Sequence, residues 1–395
     1  MGVLTVVRIF GTSVVVSVIA IIAAGVIGGP KVALIVLILA VLEISLSFDN
    51  AVVNATILRR MSPWWQTLFL TLGVLIAVFG MRLLFPIVIV ALTAHIGPVE
   101  VFHLALDNPT EYANKLTAAH PSIAAFGGIF LLMIFLDFIL DPEREVHWLG
   151  PIERQLGKLG KLDVASVVIA LVALLVVAEA FADVNGKSAT QQVLTAGVAG
   201  LAVYLAVRGL GEYFESQGVG EDDEDGDDGD GGDAGHAGDA AAVDRTAVRA
   251  AEHGGLLHSK HSVGKAAFFL FLYLELIDAS FSFDGVVGAF AITQQIFVIA
   301  TGLGIGALFI RSLTVFLVRR GTLQEYIYLE HGAHWAIGAL AVLLAVTITH
   351  EVPEVVTGLI GVSFIALALV SSIIAKRRRE AAVADEPGER EPVGV

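Results

Sequence analysis

The sequence predicts an all-α protein: a polytopic transmembrane helical bundle of about ten spans, built as two repeats of opposite orientation. Three observations carry that reading. Of 395 residues, 56% are hydrophobic, and mean hydropathy is +0.80, above what soluble domains reach. The apolar residues fall in runs of about 18 or more, long enough to cross roughly 30 Å of hydrocarbon. Inside two of those runs stands the same charged motif, Glu43-Ile-Ser-Leu-Ser-Phe-Asp-Asn and Asp278-Ala-Ser-Phe-Ser-Phe-Asp-Gly.

The spans read roughly 8–28, 31–58, 64–92, 122–140, 162–182, 191–211, 263–292, 295–318, 333–350 and 354–375. The first is longer than the apolar core of a usual signal peptide, which makes a signal peptide its lesser reading. Lys and Arg set the orientation. Arg59, Arg60, Arg144, Arg154, Lys158, Lys161, Arg245, Arg249, Lys260, Lys265, Arg319, Arg320 and Lys376 to Arg379 share one side if both termini are cytoplasmic. Lys31, Lys115 and Lys187 fall on the other. The motif-bearing second and seventh spans then cross in opposite directions, the usual build of a secondary transporter. The chain divides into an N-terminal helix (1–29), a first membrane half (30–215), a linker (216–262), a second half (263–376) and a cytoplasmic tail (377–395). The linker holds Gly-Glu-Asp-Asp-Glu-Asp-Gly-Asp-Asp and too few large apolar residues to pack, so it reads as a disordered cytoplasmic tether; docking a protein partner there is the lesser reading. Thr93 to Pro121 reads as an external loop with one amphipathic surface helix.

Composition also excludes. Without Cys there is no disulfide framework and no thiolate metal site. The net charge of −15 sits largely in the linker and says nothing of nucleic acid. No Walker motif, zinc-protease motif or nucleophile elbow appears.

The chemistry lies in the motifs. Aligned on Ser-Phe-Asp, Glu43 matches Asp278, Asp49 matches Asp284, and, one span later, Arg82 matches Arg311. With Glu275 there are five acids within spans, each costing about 2.5–3.5 kcal/mol near the centre of a lone helix. They must therefore face the interior, near water, cations or one another. Structural pairing with Arg82 and Arg311 neutralises two and leaves three negative charges, which a divalent cation and one proton would balance. On an unbroken helix Ser45 and Asp49 share a face, as do Ser280 and Asp284. Glu43 and Asp49 lie about 120° apart and reach one ion only if the helix loosens; Asp49-Asn50 and Asp284-Gly285 are the weak helix pairs where a break is expected. Asn50 and Asn54 add amide oxygens. Carboxylate, amide and backbone oxygens make a hard site, suited to Mg²⁺, Ca²⁺ or Mn²⁺. Asp137 and Glu179 either line a pathway or form structural hydrogen bonds. His350-Glu351-Val-Pro-Glu354 reads as a polar turn, and Gly302-Leu-Gly-Ile-Gly306 as close helix packing rather than a phosphate loop.

At these residues the sequence resembles the TerC family of integral membrane proteins, named for tellurium resistance. That family has a Glu with Asp-Asn six positions on, here Glu43, Asp49 and Asn50. Its other half has a Glu followed by two Asp, here Glu275, Asp278 and Asp284. Gly285 departs from it, standing where the family often has Ser. The resemblance covers roughly residues 30 to 375 and implies export of Mn²⁺. The expected protein is a non-enzyme that exchanges a divalent metal for protons. Glu43, Asp49, Asn50, Asn54, Asp278 and Asp284 hold the metal, and Glu275 carries the proton beside Arg82 and Arg311. No tightly bound cofactor is expected: the metal is cargo, and the partners are the bilayer, the ion and protons. An intramembrane aspartyl enzyme and a scaffold for a tellurite-stress complex are the weaker alternatives.

Overall fold

In the computed structural model, residues 3–162, 164–180, 183–184, 187–221, 264–320, 326–350 and 352–385 are described. Of the expected linker, residues 216–221 continue a helix instead of forming a tether, and 222–262 lie outside the described residues. The chain is a bundle of apolar helices. In the first half these are α1 (Val3–Gly28), α2 (Pro30–Leu46), α3 (Phe48–Leu58), α4 (Pro63–Leu75), a π-helical stretch (Ile76–Leu84), α5 (Phe85–Ala94), α6 (Pro98–Asp107), α7 (Pro109–Ile139), α8 (Gly150–Leu159), α9 (Ala165–Ala180) and α10 (Thr190–Glu221). A two-residue antiparallel pair, 183–184 with 187–188, joins α9 to α10. The second half holds α11 (Gly264–Ile292), α12 (Ile296–Arg320), α13 (Leu329–Thr347) and α14 (Glu354–Asp385).

Each of the ten apolar runs is helical, but fewer than ten meet the length and composition of a span. Among the described residues seven helices do, and the bent pair α2–α3 makes an eighth. Of the other two, α9 has 16 residues, short for the hydrocarbon core, while α11, with 29, is long enough to cross and includes side chains outside the described residues. The external loop also differs: α6 is its surface helix, while Glu111 and Lys115 belong to the first turns of α7.

Core contacts give the direction of each motif helix. Leu58 and Met61 cluster with Trp65, Phe69, Ala267, Leu270 and Phe271, so the end of α3 and the start of α11 lie at one face. Leu39 clusters with Val286, Ala289 and Ile296, so earlier α2 lies level with the far end of α11. The two motif helices therefore run in opposite directions, as expected from the sequence. On α12, a Cβ at Gly302 would meet Leu39, and one at Gly306 would meet Glu43. The register rises on both helices, making α2 and α12 parallel. Their backbones approach closely because the facing residues lack side chains. α1 packs against both α2 and α12, and its Ser13 shares a 2.7 Å hydrogen bond with Ser312 of α12.

Lipid-type exposure fits this arrangement. Large apolar side chains stand exposed along α1, α2, α9 and α14, as they do where hydrocarbon replaces water. The described chain is a multi-pass membrane protein.

Candidate functional site: twin acid–arginine pairs in the bundle

The first motif sits at a break. α2 ends at Leu46, α3 starts at Phe48, and the two axes differ by 58°. Ser45 Oγ donates to the Val41 carbonyl at 2.8 Å, a back-bond that bends helices. At Ser47, backbone angles of −98° and 18° leave the helix. The break thus falls two residues before the Asp49-Asn50 pair expected to cause it. It separates Ser45 from Asp49, so the face they would share on an unbroken helix does not exist. Asp49 instead falls in the first turn of α3.

The second motif does not break. α11 is continuous through Asp284-Gly285, although Ser280 Oγ makes the same back-bond, to Leu276, at 2.9 Å. A glycine's helix penalty is only about 1 kcal/mol, which packing overrides. A Cβ at Gly285 would stand 3.1 Å from Glu43 Oε2, so this residue is where α11 admits the carboxylate of the first motif.

Both arginines are paired, at the aligned positions. Arg82 Nη2 donates to Glu43 Oε1 at 2.5 Å and Nη1 donates to the Ala77 carbonyl at 2.6 Å; Arg82 and Glu43 are each 2% exposed. Ala77 and Arg82 both lie in the π-helical stretch, a wide turn that often marks a functional site. Arg311 Nη2 donates to Glu275 at 3.0 and 3.1 Å and lies 3.6 Å from Asp278 Oδ2. Its Nη1 donates to the Phe69 carbonyl, and its guanidinium lies 4.1 Å over the Phe69 ring. Glycine again makes the room, since a Cβ at Gly73 would collide with Arg311 Nη1.

Charge is left over. Glu43 spends one oxygen on Arg82. Among the described residues, Glu275 and Asp278 share Arg311, and Asp278 Oδ2 is buried without a hydrogen bond. Asn54 is 1% exposed, and neither its oxygen nor its nitrogen has a hydrogen-bond partner among the described residues; Asn50 is equally buried. The side chains of Asp49 and Asp284 fall outside the described residues. Among those described, no three His, Asp or Glu groups gather as a metal site. The geometry therefore brings together Glu43 with Arg82 and Gly285, and Glu275 with Asp278 and Arg311.

Gly306 tests the packing behind the site. A Cβ there would overlap Glu43 Cβ and Cγ. Gly306→Ala should cost about 1–3 kcal/mol, as overpacking does, and Gly306→Val more. Unfolding followed by circular dichroism against SDS mole fraction measures it; wild-type stability in both variants would show that α2 and α12 are further apart.

Other acids resolve differently. Asp137 accepts from Tyr204 Oη at 2.5 Å and is ion-paired to Arg208, which also holds Glu212 at 2.8 Å. That is structural bonding between α7 and α10. Sequence reasoning passed over Arg208, although a lone Arg in an apolar run is itself a signal. Glu179 stands exposed near the end of α9. In the polar turn, His350 Nδ1 lies 2.8 Å from Thr349 Oγ1.

A second polar cluster was not foreseen. Glu153 of α8 is 2% exposed and accepts from the Trp148 and Leu149 amides at 2.9 and 3.2 Å and from Trp335 Nε1 of α13 at 2.9 Å. His331 and His147 lie 3.7 and 3.8 Å from it. Beside it Glu330 binds Arg59 at 2.7 Å and Arg60 at 3.2 Å, and Arg144 lies 3.0 Å over the Phe138 ring, its pKa lowered by burial to about 10. These contacts place the end of α3, the start of α8 and the start of α13 at one face, joining basic residues that charge counting had put on one side. Local sequence held no signal for the partners.

The family described as "Protein of unknown function (DUF475)" matches residues 48–379. A 108-residue stretch, 27% of the chain, is 32% identical to the "Uncharacterized membrane protein YceF" of Bacillus subtilis (strain 168). The chain covers 41% of that relative's length. No solved structure matches the chain at a significant level.

Proposed function

We propose, for a chain that belongs to the DUF475 family, that it is a transporter exporting a divalent cation, with Mn²⁺ the preferred cargo, in exchange for protons. The observation that carries this reading is the twinned pairs. Two helices of opposite direction each set a buried acid against a buried arginine of a neighbouring element, Glu43 by Arg82 and, at the aligned positions, Asp278 by Arg311 with Glu275 joining it. The two helices meet at Glu43 and Gly285, beside a break in one of them. Discontinuous helices at a repeat interface are where secondary transporters bind ions. Two arginines cannot balance Glu43, Glu275 and Asp278 together with Asp49 and Asp284, and the unpaired remainder calls for a cation. Asp49, Asp284, Glu43 and Asp278 would ligate it, with Asn50 and Asn54 assisting and Glu275 carrying the exchanged proton. The resemblance of the motif to the TerC family supplies the choice of Mn²⁺ and the direction of transport. The Lys and Arg distribution supports cytoplasmic termini.

Flux tests this. The purified chain in liposomes carrying a Mn²⁺-quenched dye should pass Mn²⁺ at a rate that rises with an opposing proton gradient. The rate should fall as both sides are acidified, because protons then compete for the carboxylates. An empty-liposome rate for Mn²⁺, Ca²⁺ and Mg²⁺ alike would overturn the reading in favour of an intramembrane aspartyl enzyme or a membrane scaffold.

A further inference from the structure

The short helix α8 is held in one rotational setting about its axis. Its sole acid, Glu153, is drawn into the protein by the Trp335 indole and the Trp148 and Leu149 amides. Two glycines press its inner side onto the end of α7. A Cβ at Gly157 would stand 3.6 Å from the Asp141 carbonyl, and one at Gly160 would overlap that of Leu140. α8 therefore lies where the span α7 ends and before the apolar α9 begins, at the membrane face that also carries the exposed Trp64.

What this setting turns outward carries no acid. Ile152 and Leu159, seven residues apart, form one stripe, and both are half exposed. Arg154 and Lys158, four apart, form a second exposed stripe about 200° round the helix from the first. Lys161 follows just past its end, also exposed. The exposed acids Glu143 and Glu145 lie in the preceding loop, off the helix. With Glu153 withdrawn, the outward surface of α8 is basic on one flank and apolar on the other.

We propose that α8 is an anionic-lipid docking element, its basic flank binding lipid phosphates while Ile152 and Leu159 enter the acyl boundary. An interfacial helix has this pattern: basic polar face, apolar second face and little net hydrophobicity. A soluble acidic partner would match the basic flank alone and leave the apolar stripe in water. Charge complementarity and position at the membrane face together favour lipid. The inference is independent of what the bundle transports.

Each basic residue near an anionic surface contributes about five-fold in affinity, so three together contribute on the order of 100-fold. Native mass spectrometry of the full chain, in detergent with equal phosphatidylglycerol and phosphatidylcholine, reads the preference directly. Wild type should retain phosphatidylglycerol selectively. The R154Q/K158Q/K161Q variant should lose that preference by on the order of 100-fold, with its circular-dichroism melt unchanged. Should the triple variant fail to fold, each single variant should still lose about five-fold. E143Q/E145Q should keep or raise the preference. Equal preference in wild type and the basic-flank variants would overturn the proposal, as would a wild-type preference for phosphatidylcholine.

Discussion

Arg82→Met should destabilise the protein by about 3–5 kcal/mol, whereas Glu43→Met with Arg82→Met should recover most of that loss. The pair is dry, with both side chains 2% exposed. Removing the arginine leaves a carboxylate in low dielectric facing α11 and α12 with no cation to offset it, and that uncompensated charge is the source of the 3–5 kcal/mol. Replacing both partners removes both desolvation costs, and buried pairs exchanged for apolar residues of similar volume are often neutral or stabilising. SDS-titrated unfolding measures all three variants. The flux assay adds a second readout: if Glu43 ligates the cation, the double variant folds yet does not transport. A double variant as unstable as Arg82→Met would mean that Glu43 is held by more than the arginine. Arg311 should behave at least as severely, because it serves Glu275 and Asp278 at once.

Asp49→Asn or Asp284→Asn should each cut Mn²⁺ flux by about 100-fold or more. The reference is that losing even an outer partner of a metal ligand costs about 10–100-fold. Each change keeps the size and one oxygen of the side chain and deletes one charge. Folding should be preserved or improved, since a buried amide costs less than an unpaired carboxylate. Ser45→Ala is the matched control. Its hydroxyl is spent on the Val41 carbonyl, and hydroxyl oxygens are minor ligands for a hard cation, so flux should stay near wild type. Wild-type export by either Asn variant at equal expression would remove the metal from these two positions.

The chain by itself determined the class of the protein, because hydropathy and charge are local. Twenty apolar residues in a row have few alternatives to a membrane helix, and a carboxylate inside one must find company. Hence the apolar helices and the twin motif were legible, as were the opposite directions of the motif helices, from the Lys and Arg distribution along the spans, and the pairing of Arg82 and Arg311, from the alignment of Glu43 with Asp278. The tertiary structure decided the rest. Break positions differ by about 1 kcal/mol in propensity, less than the packing that acts on them, so Ser47 opens while Asp284-Gly285 stays helical. Which acid each arginine takes, why Gly73, Gly285 and Gly306 carry no side chain, and how Glu153 finds Trp335 182 residues away depend on contacts between distant segments. Those contacts exist only once the helices have packed.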